Sequence, residues 1–161
     1  MKKFFACAIT TIVLLFMVTP IFAQEWSKEQ TELWKVLQER YTKWQNGDFD
    51  GFTALVHDQY QGWSNNDPLP LGKEMLVSRF KDLIKSMKLE SNMMNPARIV
   101  ITKNAAVVDF YFALTFVSTA KDKQNKMELN GKNVEFFVKE NGKWLLLGDM
   151  TEFKMSKSGD N

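Results

Sequence analysis

Cysteine is almost missing from this chain of 161 residues: Cys7 is the only one, so no disulfide can form within the chain. Histidine is equally scarce, and His57 alone excludes a two-histidine zinc or iron site and makes any catalytic triad depend on one imidazole. Charge of one sign is lacking too, with 21 basic residues against 19 acidic ones. Such a balance leaves no electrostatic footprint for nucleic acid and no polybasic patch for anionic lipid. No phosphate-cradling glycine motif occurs, and the Asn46 to Gly51 turn is too short for a calcium loop and lacks its distal Glu. Internal repeats and low-complexity linkers are absent as well. These absences point to no metal and no cofactor, and to a fold that stands on its apolar core.

The first 23 residues read as a secretory signal. Lys2 and Lys3 form a charged start, Phe4 to Val18 is an uncharged apolar run, and Pro20-Ile21-Phe22-Ala23 offers a cleavage site. Ile21 departs from the small-residue ideal, and a segment of about 20 residues could also be kept as an anchor. Cleavage would remove Cys7, Lys2 and Lys3, leaving a cysteine-free domain with 19 basic and 19 acidic residues. A periplasmic or secreted protein, free of the membrane once cleaved, is the expectation.

The rest of the chain divides into one domain, residues 24–155, and a frayed tail, 156–161. Ser27 and Gln30 form a capping box before a helix whose stripe is Leu33, Trp34, Leu37, Tyr41 and Trp44. Asn46-Gly47 ends it, and Asp48 caps a short second helix. Tyr60 to Ser64 alternates as a short strand, and Leu71 to Leu89 has helical spacing at Leu76, Phe80, Leu83 and Met87. After Pro96 the period becomes that of strands, over 98–102, 105–119, 127–139 and 144–153, with Asn141-Gly142 marking a hairpin. Helices first and antiparallel strands afterwards predict an α+β domain with helices packed on one face of a curved sheet.

The stretches "WQNGDFDGFTALV", "PLGKEML" and "NGKWLLLGDM", in this order and spacing, resemble the nuclear transport factor 2-like superfamily, in particular its small SnoaL-like or ketosteroid-isomerase-like bacterial domains. The resemblance spans residues 25 to 153. It implies a cystatin-like cone, a bent antiparallel sheet around the long helices with a blind apolar pocket, and often a homodimer through the sheet. It implies no single function, because this fold carries isomerases, dehydratases, cyclases and plain binding or dimerisation domains.

Candidate residues follow from chemistry and strand parity. His57 is either a general base oriented by a carboxylate such as Asp58 or a polar residue closing the short helix; adjacent strand residues point opposite ways, which separates it from Asp58. Tyr60 and Trp63 differ by three positions, so one of them faces the interior. On the long strand Phe110 and Phe112 share the helix-facing side with Val108, Leu114 and Phe116, whereas Asp109 falls on the outer face. On the last strand, parity groups Met150 with Trp144, Leu146 and Gly148, and puts Asp149 on the other side. The resemblance implies a His, Asp or Asn near this strand's end, and Asp149 is the acid available; the alternative is an ion pair across the sheet. The leading expectation is an exported protein binding a small apolar or amphipathic molecule between Trp44, Tyr60, Trp63, Phe110, Phe112 and Met150. The alternatives are a proton-transfer enzyme using His57 or Asp149 as base, and a structural dimerisation module filled by its own aromatics.

Overall fold

A computed structural model describes residues 25–120 and 125–158, so the expected signal at 1–23 and most of the polar turn at 121–124 lie outside the described residues. The capping box forms as its sequence predicts, Gln30 N–H donating to Ser27 Oγ and Ser27 N–H to Gln30 Oε1, and it opens α1, Lys28–Gln45. Gly47, at φ +72°, takes the left-handed turn that ends this helix. Asp48 then caps α2, Phe49–Thr53, through Gly51 N–H. The strand β1, Val56–Ser64, and the two-residue β2, Leu71–Gly72, lead into α3, Lys73–Ser86.

Four long strands complete the domain: β3, Met87–Thr102; β4, Ala105–Ser118; β5, Lys126–Glu140; and β6, Lys143–Ser158. The sheet order is β2-β1-β6-β5-β4-β3, antiparallel throughout except where β1 lies parallel to β6. At the hairpin joining β5 to β6, Asn141 and Gly142 both have positive φ, the backbone that matches the twist of two strands. The sheet is curved and unclosed, with the helices on its concave face. Apolar residues from both layers meet there, Leu33 and Leu37 of α1 against Val108, Phe110 and Phe116 of β4, all essentially without solvent contact.

Several boundaries differ from expectation. The first strand begins at Val56, not Tyr60, because Val56 already pairs with Leu146 of β6. The third helix is shorter at both ends than Leu71 to Leu89, because Leu71 and Gly72 pair with β1 and Met87 pairs with Ser118. Residues 87–97 are strand rather than connection, their polar side chains tolerated because β3 is a sheet edge. At the C-terminus, Ser156 and Ser158 are hydrogen-bonded neighbours of Glu128 and Lys126, so the expected tail is strand as far as 158.

Candidate ligand-binding site

The concave face is not filled along its whole length. A pocket of about 360 Å³ lies between α1, α3 and the sheet. Its walls come from the periodic stripes: Trp44 of α1 stacks on Phe80 of α3 with ring centroids 4.6 Å apart, and Phe112, Leu114 and Phe116 face them from β4. Trp63, Asp67 and Arg79 stand at the rim, with Arg79 donating to Asp67.

The floor is polar, and a register shift makes it so. Phe137 pairs with Leu146, but Phe136 pairs with Gly148, leaving Leu147 as an extra residue. This bulge reverses the alternation of β6. Before it, Trp144 and Leu146 point into the core; beyond it, Asp149, Thr151 and Phe153 point inward and reach the pocket. The straight parity assumed for Met150 therefore fails. That side chain is 56% exposed on the outer face, away from the pocket wall assigned to it.

Beyond the bulge, Asp149 sits directly across from Glu135 and Thr151 across from Asn133. Two carboxylates facing each other on adjacent strands repel, so both need support. Glu135 receives it from Arg40 of α1, whose Nη2 donates to Oε1 at 2.5 Å, both groups being buried. Asn133 Nδ2 donates to the same oxygen at 3.2 Å, and Thr151 donates to Asn133 Oδ1 at 2.9 Å. Asp149 is served by Tyr60, whose hydroxyl donates to Oδ1 at 2.8 Å. Asn133 and Thr151 lend it dipolar support, although their hydrogen bonds go to Glu135 and to one another.

Burial dominates the titration of this cluster. It pushes Glu135 up to about 7, against the opposing pull of Arg40, with Asp149 adding to the rise. Burial likewise raises Asp149, the hydrogen bond from Tyr60 and the charge of Arg40 holding it back. Tyr60 is raised by burial and then by Asp149, and Tyr41, beside Glu135 and Asn133, by burial and then by Glu135; both phenols stay neutral. Burial works against the charge of Arg40, but Glu135 outweighs it and the guanidinium is held above its ordinary value.

The remaining candidates separate cleanly. Tyr60 faces inward and Trp63, 47% exposed, faces outward and touches the pocket at its rim. Trp44 and Phe112 line the walls. Phe110, one turn of the pleat away, is core instead: the rings of Trp34 and Tyr41 meet it edge-on at 5.8 and 6.3 Å, occupying the space a ligand would need. His57 lies outside the pocket, where its Nε2 pairs with Glu140 at 3.2 Å and its Nδ1 accepts from Gln59 N–H. It is the second residue of β1 rather than the end of the short helix. Asp58 turns away to Lys73 at 2.8 Å, and Asp109 is on the outer face with Arg98. Among the described residues no group of three His, Cys, Asp or Glu side chains could hold a metal ion.

Arg40, Asn133 and Glu135 were not among the residues the sequence singled out. Arg40 carried a signal, since it stands three residues from Leu37 and four from Trp44 on the buried stripe of α1. Asn133 and Glu135 share the parity of Phe137, yet the apolar Val134 and Phe136 on the other face hide which side is the interior.

Sequence comparison finds no family model and no curated relative that matches. Similarity is found among solved structures. A conserved protein from Planctomyces limnophilus is 19% identical with a TM-score of 0.72, over 80% of this chain and 100% of its own. A ketosteroid isomerase-like protein from Erwinia carotovora is 14% identical with a TM-score of 0.64, over 80% and 98%. A nuclear transport factor 2-like protein from Cytophaga hutchinsonii is 14% identical with a TM-score of 0.62, over 79% and 98%. At these identities the likeness is one of fold, and the fold is the nuclear transport factor 2-like cone expected from the motifs.

Proposed function

From a chain with the nuclear transport factor 2-like fold and an unfilled cone, we propose a small-molecule binding protein whose ligand is amphipathic. One observation carries this: the pocket of about 360 Å³ has aromatic and aliphatic walls and a polar closed end formed by Tyr60, Asn133, Asp149 and Thr151, while the charges at its rim, Asp67 and Arg79, pair with each other. Ligand sites of a few hundred Å³ have this make-up, an apolar body with a few oriented polar groups. The purely structural alternative needs an interior filled by its own aromatics, which holds around Phe110 but not in the space lined by Trp44, Phe80 and Phe112. Export is part of the proposal, supported by Lys2, Lys3 and the apolar run after them. So is a homodimer through the outer face of the sheet, where Tyr111, Phe136 and Met150 are exposed; Tyr111→Lys should then yield monomer in size-exclusion chromatography with light scattering.

Proton transfer is the second reading, favoured by one feature. Asp149 lines the pocket, is raised by burial and contacts a tyrosine, as a general acid or base would. Binding ranks first because the hydroxyl donors at the floor are spent within the protein, Tyr60 on the carboxylate itself and Thr151 on Asn133, rather than aimed at a developing oxyanion. Native mass spectrometry of the full chain purified from its own envelope fraction tests the proposal. A small-molecule adduct that leaves on denaturation is expected; a chain that is always empty, and that takes up no amphipathic probe, would overturn it.

A further inference from the structure

The floor also carries information about the ligand's head group, and this step rests on the binding reading above. We propose that the pocket takes a small organic amine, its protonated amino group on Asp149 and its apolar body between Trp44, Phe80 and Phe112.

Hydrogen-bond accounting comes first. At the closed end the donors are turned to protein acceptors: Tyr60 to Asp149, Thr151 to Asn133, one N–H of Asn133 to Glu135, with the Tyr41 hydroxyl beside Glu135 as well. The indole N–H of Trp44 is unpartnered but sealed from the pocket, so only the ring surface of that residue is offered to a ligand. What remains open is accepting capacity, above all Asp149 Oδ2, which receives no hydrogen bond from the described residues, whereas Oδ1 does. A site of spent donors and free acceptors asks its ligand to donate.

Charge narrows the choice further. Two carboxylates, Glu135 and Asp149, face each other across β5 and β6 with one cation nearby, and Arg40 gives its hydrogen bond to Glu135. Among the described residues no Lys, Arg or His nitrogen comes within salt-bridge distance of Asp149. An ammonium head would supply the missing partner, as a charged hydrogen bond in a water-poor site. The aromatic and aliphatic walls, Phe80, Leu83 and Phe112 among them, suit the apolar body such an amine would carry. A carboxylate ligand would instead meet a carboxylate with no free donor between them, and a neutral alcohol would bind without relieving the charge.

Calorimetric titration of the full chain with three matched probes, 2-phenylethylamine, 2-phenylethanol and 3-phenylpropionate, decides the question. The amine should bind about tenfold or more tightly than the alcohol, and the carboxylate more weakly than either. Asp149→Asn, which still accepts from Tyr60, should bring the amine down to the alcohol's level; a variant that still binds the alcohol keeps its pocket, even where loss of the buried charge shifts the melt. An alcohol or carboxylate that binds as tightly as the amine, or an amine preference that persists in Asp149→Asn, would overturn the amine assignment and leave the binding reading standing. No uptake of any of the three would overturn both.

Discussion

Phe110 and Phe112 stand two residues apart on the same face of the same strand, and they belong to two different kinds of interior. Around Phe110 the cone is closed: Trp34 and Tyr41 meet the ring edge-on, and Leu33, Leu37 and Val108 leave no solvent contact. Around Phe112 it is open, because α3 meets α1 through the stacked Phe80 and Trp44 and leaves a gap toward the sheet. Arg40 and Glu135 mark the boundary, buried on one side against core and linked on the other, through Asn133, to the pocket floor. An apolar end can close by itself, whereas a polar floor needs someone to complete its hydrogen bonds. The difference separates stability from recognition within one sheet.

Breaking the boundary should have the largest effect. Arg40→Ala leaves Glu135 buried without its cation and should cost about 3–5 kcal/mol, measured by urea denaturation. Next comes pH. Glu135 keeps its proton up to about 7 in the folded chain but only to its ordinary value of 4.5 when unfolded, so the folded state binds more protons between these values. Stability must therefore fall as pH rises through that window, by an amount on the order of 3 kcal/mol. Asp149, also raised, acts with the same sign. Denaturation midpoints at pH 4.5 and 7.5 would read the loss, and Glu135→Gln should flatten most of it.

A smaller change would sharpen the contrast by touching the open end alone. Gly62 faces Asp149 in the β1–β6 pairing, and a Cβ there would run into the Tyr60 hydroxyl and Asp149 Oδ1. Gly62→Ala should displace that pair, lowering stability by about 1–3 kcal/mol and weakening ligand uptake more than any equal change near Phe110. The smallest effect belongs to His57→Ala. That side chain is 13% exposed and sits at a corner of the sheet with Glu140, away from the pocket, and its loss should lower stability by about 1 kcal/mol with binding unchanged. A binding defect in His57→Ala would erase the distinction between corner and floor.

Much of this architecture was legible from periodicity alone. The capping box, the Asn141-Gly142 turn and the phenylalanine face of β4 are local signals, and local signals survive folding. The floor was not legible in full, since parity counts correctly only while a strand stays regular. One extra residue, Leu147, turned Met150 out and Asp149 in. Residues 87–97 were missed for a related reason: an edge strand half open to water has no strong alternation to display. Arg40 hid behind a general expectation that a charge on a helix is a solvated one, although its spacing placed it among leucines.

The parallel pairing of β1 with β6 has a consequence in time. Tyr60 and Asp149 are 89 positions apart, yet they share a hydrogen bond across adjacent strands. A nascent chain that has made both helix stripes and the whole of β4 still has no floor, for β6 is the last strand to arrive and must slot between β1 and β5, two strands already made. Until then the two edges it will join stand open, with their backbone groups unpaired. The floor therefore exists only once β6 is in place between β1 and β5, and without it both neighbouring strands present open edges.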